Sequence, residues 1–477
     1  MATGPAIVAV DSSLDRQAIE RDLSSYAFQW RHLQDVEAQD AYGPAYPEPA
    51  DIRELNRKGT CIYGVTLRRC MNCIEASWAG NSGRHFAVSA AVVISRTHPE
   101  IDRLRSCTVK NIHPGRLELR PAYLDPALDI ENGTWRLDLE ANCAQYYRIS
   151  AAIHNFISIL PNSPPSPLQL LIGTYFGDSQ QRRAINEATG LLQPVDMSAL
   201  VNLNASQRYA VSRSLDQWLL PIQGLPGTGK TQVAVAIFEL WNSPRNLEAL
   251  NPGPVVGDAP SNVAADNLAS RLMKTTSLKV KRYGPPGKII DAYVLTISSQ
   301  ALALNADSYP LCFNKNAKKR RKHWEIKELT QRNHALIGTL EMSCDLQTEE
   351  LPWKCKLLVV DEAAQASEPM TIVPFQLTDA RSHVVLLGDH MQLAPTVKSK
   401  KAEWDGLGTS LFERLMRHGG VDECILLEQY RMPESICTFP SQEFYEGHLL
   451  SHPSVLHRDP VKGFPFPLGS ALAFVHI

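Results

Sequence analysis

Residues 219–231 read LLPIQGLPGTGKT, and the fold follows from how that stretch divides. The apolar run 219–223 has strand character, Gly224 to Thr231 is a glycine-rich turn, and QVAVAIFELW, 232–241, carries helical residues. Strand, glycine loop and helix in that order are the context of a Walker A phosphate-binding loop. Gly224, Gly227 and Gly229, with Pro226 and Thr228 between them, let the backbone curl so that successive N–H groups converge on a β-phosphate. The N-terminus of the following helix adds partial positive charge. Lys230 is placed to neutralise β- and γ-oxygens, and the Thr231 hydroxyl to ligate Mg²⁺.

Such a loop needs a carboxylate at the end of a neighbouring strand to hold the metal. KLLVVDE, 356–362, supplies Asp361 for that role and Glu362 as a base. HVVLLGDHMQL, 383–393, is another apolar strand ending in polar residues, with Asp389 and Gln392 on the same sheet edge and Gln392 as a γ-phosphate sensor. GPVVGDA, HALIGTL and ILLEQ continue the pattern. Nearly unbroken Val/Ile/Leu runs are what strands covered on both faces show, so a doubly wound α/β sheet is expected.

The 477 residues suggest about three domains at ~150 residues each. A hydrophobic share of 44% and charged share of 21% exclude wholesale disorder, and a net charge of -2 gives no general pull toward polyanions, so any such site is local. Neither a signal peptide nor a membrane-spanning run is apparent, and ten scattered cysteines fit reduced thiols in the cytoplasm or nucleus. Cys70 and Cys73 lack a second ligand pair at zinc-finger spacing. From residue 12 to about 40, apolar groups at Leu14, Ile19, Leu23, Tyr26, Trp30 and Leu33 predict an amphipathic helix. Short β-rich runs over 57–140 predict a small barrel or sandwich, and a helix follows over 141–160 before PNSPPSP breaks the chain. A basic run, Lys315 to Lys322, followed by Trp324, lies in a polar insertion over 303–333.

Taken in order, these segments resemble superfamily 1 helicases of the up-frameshift-like group, in particular the immunoglobulin-mu-binding-protein type. LNASQRYAV (203–211) resembles the adenine-reading segment, which implies Gln207 as the base contact. APSNVAADNL (259–268), VVDEAAQASEP (359–369), LLGDHMQLAPTV (386–397) and LLEQYRMPESI (426–436) are similar to motifs Ia, II, III and IV, with FYEGHL (444–449) as sequel. The resemblance implies that Tyr430 stacks on adenine and that Arg431 reaches the γ-phosphate from a second motor domain. It further implies a RecA-like P-loop NTPase motor, 166–398, with helical insertion 303–333. A stalk helix, 12–56, an inserted β-barrel, 57–140, and a second stalk helix, 141–165, precede the motor, and a partial second RecA-like domain, 399–477, follows it.

The expected activity is ATP hydrolysis with Mg²⁺ by a monomeric motor on single-stranded RNA or DNA, and the resemblance implies movement 5′ to 3′. Pro260, Ser261, Asn262 and Thr339, at strand ends, are the candidate strand contacts, able to hold phosphates and sugars without reading bases. After 399 fewer than about 80 residues remain, room for two or three strands at about 30 residues per βαβ unit. Motifs V and VI are not recognisable there. The chain is therefore expected to be C-terminally incomplete, and a nucleotide-gated nucleic-acid-binding regulator without turnover stands as the alternative.

Overall fold

The computed structural model describes residues 16–42, 61–70, 73–79, 86, 91–96, 103–121, 130–139, 144–158, 166–173, 183, 185–186, 200–243, 246, 253–283, 334–346, 354–418 and 421–456. They fall within two compact units, one drawn from 1–33, 148–397 and 402–477, the other from 34–147 and 398–401. The basic insertion with Trp324 and the apolar run ALAFVHI lie outside the described residues.

The smaller unit is a closed antiparallel barrel of β1 (Cys61–Arg69), β2 (Ile74–Ser77), β3 (Ala91–Ser95), β4 (Arg103–His113), β5 (Arg116–Pro121) and β6 (Trp135–Leu139), in the order β1-β2-β5-β4-β3-β6. β6 closes it by pairing with both β3 and β1. Alternation decides the interior: Ile62, Leu67, Ile74, Val92, Ile94, Leu117, Leu119 and Leu137 fill one core, with Trp135 donating its indole N–H to the Ile130 carbonyl at 2.9 Å. On the other face of β6, Arg136 and Asp138 are both buried and form a two-point ion pair at 2.7 and 2.6 Å.

In sequence the barrel lies between helices α1 (Arg16–Tyr42) and α2 (Ala144–Ile157). Ile19, Leu23, Tyr26, Trp30 and Leu33 of α1 are all buried, as their spacing requires. Ile19 and Leu23 pack on Leu170. The Tyr26 hydroxyl donates to Glu368 at 2.7 Å, a fully buried carboxylate that Arg414 also holds at 2.7 and 2.8 Å.

The larger unit is built on a seven-stranded parallel sheet: β7 (Leu219–Gly224), β8 (Val255–Ala259), β9 (Lys279–Arg282), β10 (His334–Thr339), β11 (Leu357–Val360), β12 (His383–Gly388) and β13 (Cys424–Leu426). The order is β13-β7-β12-β11-β8-β10-β9. Leu220, Ile222, Val255, Leu357, Val359, Val385 and Leu387 meet helices α3 (Ala205–Asp216), α4 (Lys230–Asn242) and α5 (Asn262–Thr275) in one core. Their strand neighbours Leu219, Val256, Leu358, Val360, Val384 and Leu386 are buried on the opposite face. This is the doubly covered α/β sheet that the apolar runs require.

The sheet takes a further strand from beyond residue 399. β13 pairs parallel to β7, from Cys424↔Ile222 to Leu426↔Gly224. Without it the backbone of the loop-bearing strand would be a bare sheet edge. The segment expected to open a second domain therefore first completes this one. Helix α6 (Leu411–His418) precedes β13, and beyond it β14 (Glu428–Gln429), helix α7 (Glu434–Phe444) and β15 (Leu450–Ser451) form a small parallel βαβ unit, with Glu428↔Leu450 and Gln429↔Ser451 in register. Among the described residues no helix is long and apolar enough to cross a membrane.

His383, at the start of β12, packs its ring at 5.0 Å from Trp218 and 4.8 Å from Trp241 and donates Nδ1–H to the Gln217 carbonyl at 2.8 Å. Burial pushes its pKa down to about 4, against the opposing pull of the Gln217 and Ser214 backbone. The unfolded chain, with the ordinary value of 6.5, takes the proton first, so this contribution to stability is intact above about 6.5 and is lost as pH falls toward 4. His383→Gln is expected to reduce the acid-induced loss by about 2 kcal/mol between about pH 7.5 and about pH 5, read from urea-unfolding midpoints at the two values.

Candidate active site

β7 delivers Gly224 to the C-terminal edge of the sheet, where Gly227 (φ 78°) and Gly229 (φ 87°) turn the chain in the left-handed region before α4 begins. Both positions are also crowded. A Cβ on Gly227 would stand 2.6 Å from the Cβ of Arg431, and one on Gly229 2.8 Å from Nε2 of Gln207. Thr228 closes the turn by donating its hydroxyl to the Leu225 carbonyl at 2.7 Å. The Lys230 ammonium folds back over the loop and donates to the Gly224 carbonyl at 2.9 Å. A polyphosphate seated on the loop offers that ammonium stronger, charged acceptors. Thr231 lies half-buried in the first turn of α4.

Asp361 directly follows β11 and is buried, its N–H donating to the Asp258 carbonyl at 2.8 Å and its Oδ1 accepting the Glu362 N–H at 3.0 Å. Burial first, and the neighbouring Glu362 charge second, push its carboxyl up to about 7, while the Lys230 ammonium pulls the other way. Glu362 itself has φ 54°, a conformation costly for a residue with a side chain and common where a site fixes its groups. Its carboxylate accepts the Gln365 amide at 3.0 Å. The Asp361 carboxylate and Thr231 hydroxyl are hard oxygen donors, the kind Mg²⁺ takes together with phosphate oxygens, so these residues fit that ion.

Asp389, after β12, is a hub that the sequence reading used only to place Gln392. Its carboxylate accepts from Gln223 at 3.2 Å, from Gln392 at 2.6 Å and from the Tyr445 hydroxyl at 2.8 Å. Gln392 is solvent-exposed and its amide nitrogen is held by Asp389. Tyr445 and Gln223 carry no sequence signal for this site, because both act through Asp389 from distant segments.

At the other end of the loop, Asn204 and Gln207 form a reciprocal capping box on α3, and the Gln207 Nε2 also donates to the Thr228 carbonyl at 3.0 Å. Those bonds use one amide hydrogen and one lone pair. The second hydrogen and second lone pair of the same amide match the donor–acceptor edge of adenine. The Tyr430 N–H donates to the Gly227 carbonyl at 2.9 Å, and the Arg431 backbone is held by the Gln429 side chain at 2.8 Å. Gln207, the loop and the Tyr430–Arg431 pair thus converge. Sequence reasoning did not find Asn204, Glu428 and His452, which all touch Tyr430.

Pro260, Ser261 and Asn262 follow β8, and Thr339 ends the adjacent β10, in register with Ala259. Ser261 is exposed and caps α5 through the Ala264 N–H, and the Asn262 side-chain oxygen accepts from Arg282 at 3.0 Å. Thr339 is buried. Beneath them Asp258 accepts from Tyr283 and Ser343, and burial raises its carboxyl to about 6 against those bonds and the Arg282 charge.

Two families described as AAA domains match the chain, one over residues 202–308 and 307–400, the other over 407–477. Among curated proteins the chain is 34% identical over 273 residues to the ATP-dependent helicase upf1 of Schizosaccharomyces pombe, covering 54% of this chain and 29% of that protein. It is 33% identical over 364 residues to the DNA-binding protein SMUBP-2 of Mus musculus, covering 69% and 34%. With a regulator of nonsense transcripts 1 homolog of Arabidopsis thaliana it shares 29% identity over 379 residues, covering 76% and 29%. The chain spans about a third of the length of these relatives.

Gly227→Ala is expected to destabilise the larger unit by about 1–3 kcal/mol from backbone strain and to push Arg431 off the loop. Gly447→Ala has the same φ of 78° with nothing within 4 Å of the added methyl, and is the control that carries strain alone. Nucleotide affinity measured by calorimetry should fall for the first variant and hold for the second.

Proposed function

Because the chain belongs to the superfamily 1 helicases of the up-frameshift-like group, we propose that it is an ATP-driven motor on single-stranded nucleic acid. The observation that carries this reading is the convergence on one sheet edge of Lys230, Asp361 and Glu362 with the Tyr430–Arg431 pair, which hydrogen-bonds to the loop itself.

In this reading ATP is the substrate. The loop N–H groups and Lys230 bind its β- and γ-phosphates, Thr231 and Asp361 hold Mg²⁺, and Gln207 and Tyr430 take the base. Bound there, Mg²⁺ would supply positive charge against the triphosphate. Glu362 accepts the proton of the attacking water, its backbone pre-set by the left-handed turn. Arg431 brings cationic charge to the γ-phosphate, worth most as charge redistributes in the transition state. Gln392 senses occupancy, and its bond to Asp389 passes the change to Gln223 beneath the loop and to Tyr445.

Pro260, Ser261 and Asn262, at the end of β8, contact the sugar–phosphate chain of the strand, while the buried Thr339, at the end of β10 on the same sheet edge, supports them from below rather than touching it. Asp361 N–H to Asp258 O gives the two sites a shared backbone link. RNA or DNA serves as the strand, since one relative is named for DNA binding and another for nonsense transcripts. We place a monomeric, 5′-to-3′ motor of this kind in the cytoplasm or nucleus.

Steady-state ATP hydrolysis, with and without single-stranded RNA or DNA, tests the reading. Strand-stimulated turnover is expected, and background rates under both conditions would instead favour a nucleotide-gated regulator. Lys230→Ala should abolish ATP binding in calorimetry. Glu362→Gln should keep binding while turnover falls by about 10²–10⁴-fold.

A further inference from the structure

Tyr430 is held on several sides by groups that the motor reading leaves without a task. Its hydroxyl donates to Glu428 Oε2 at 2.6 Å and accepts from Asn204 Nδ2 at 3.0 Å. Asn204 Nδ2 also lies 3.1 Å from the same Glu428 oxygen, closing a three-residue ring of hydrogen bonds. The imidazole of His452 stacks on the phenol ring, with centroids 4.6 Å apart and planes inclined by 35°. His452 is itself fixed, its N–H donating to the Gln429 carbonyl at 3.0 Å and its Nδ1 accepting the Ser454 N–H at 3.1 Å. The Tyr430 backbone is tied to Gly227.

A phenol ring has two ways to move from a stacking position. It swings about its Cα–Cβ bond, which carries the hydroxyl through an arc, or it rotates about its own axis, which tilts the face. The Glu428–Asn204 pair stops the swing because both partners hold the hydroxyl at the far end of the lever. His452 stops the tilt because it lies against the ring face. Two independent constraints on one aromatic plane, set beside a phosphate loop, are what a preorganised base platform needs. Asn204 adds a second connection, since its side-chain oxygen accepts the Gln207 N–H at 2.8 Å and so links the platform to the amide expected to read the base edge.

The geometry points to Glu428, Asn204 and His452 as positioning residues that hold the Tyr430 ring as a preset platform for the purine base of a nucleoside triphosphate, which stacks from the side opposite His452. This inference rests on the nucleotide reading of the loop and adds to it the groups that convert a phosphate site into a base-selective one. None of the three touches the reacting phosphate, so their contribution falls on ground-state binding: KM for ATP rises and kcat holds when they are removed.

The test is calorimetric binding of ATP and of inorganic tripolyphosphate, each with Mg²⁺, to the full 477-residue chain. Tripolyphosphate occupies the loop but has no base. Glu428→Gln and His452→Ala are each expected to weaken ATP by about 3- to 10-fold, the scale of one aromatic contact, and to leave tripolyphosphate unchanged. Tyr430→Phe keeps the ring and removes the hydroxyl. If Glu428 acts through that hydroxyl, the Glu428→Gln/Tyr430→Phe double variant loses no more than Tyr430→Phe alone. Unchanged ATP affinity in both single variants overturns the inference, as does equal weakening of tripolyphosphate, which marks general disruption. Tighter ATP binding by His452→Ala overturns it too, since His452 would then occupy the base's own seat. A wild-type chain that binds neither probe overturns the nucleotide reading and this inference with it, whereas binding of both probes with no variant effect leaves the nucleotide reading standing and removes only the platform.

Discussion

Everything in the larger unit turns on how closely other segments approach the bare backbone of residues 224–231. Two of its glycines are crowded by segments outside the loop: Gly227 lies against Arg431 and Gly229 against Gln207. Those contacts come from about 20 residues before the loop and about 200 after it. Hydrogen bonds from Tyr430 to Gly227 and from Gln207 to Thr228 fix both approaches. The shape of the loop's backbone therefore sets where both flanking segments sit.

Much of this was legible in the sequence for a simple reason. Strands buried on both faces write continuous apolar runs, and LLPIQ, LLVV and HVVLLG show that character plainly. The carboxylates Asp361 and Asp389 stand at the ends of such runs, so their place on the sheet edge followed from the strand assignment. β9 was not anticipated, since KVKR is a short edge strand with alternating exposure and its lysines give no apolar run. Alternation alone left the smaller unit as a barrel or sandwich, because it reports that one face is covered and does not report closure, and the expectation of a barrel came from the family resemblance.

What the sequence did not disclose is mostly long-range polar pairing. Tyr445 to Asp389, Tyr26 to Glu368 and Asn204 to Glu428 join residues far apart in the chain, and no local spacing encodes them. The division of one apolar run between two sheets was hidden for a related cause. ILLEQ reads as one strand, yet Cys424–Leu426 pairs with β7 while Glu428–Gln429 turns away to pair with β15. A two-residue shift of partner within one apolar run leaves no mark on composition.

The late arrival of β13 bears on how the polypeptide is made. On the ribosome, β7 emerges roughly 200 residues before the strand that will flank it. For that interval the strand bearing the glycine loop has a naked hydrogen-bonding margin, open to pairing with another nascent chain. Parallel pairing across so wide a sequence gap is also slow to form. That margin is covered only once residues 424–426 have left the exit tunnel, so the loop-bearing strand is among the last parts of the sheet to gain both of its neighbours.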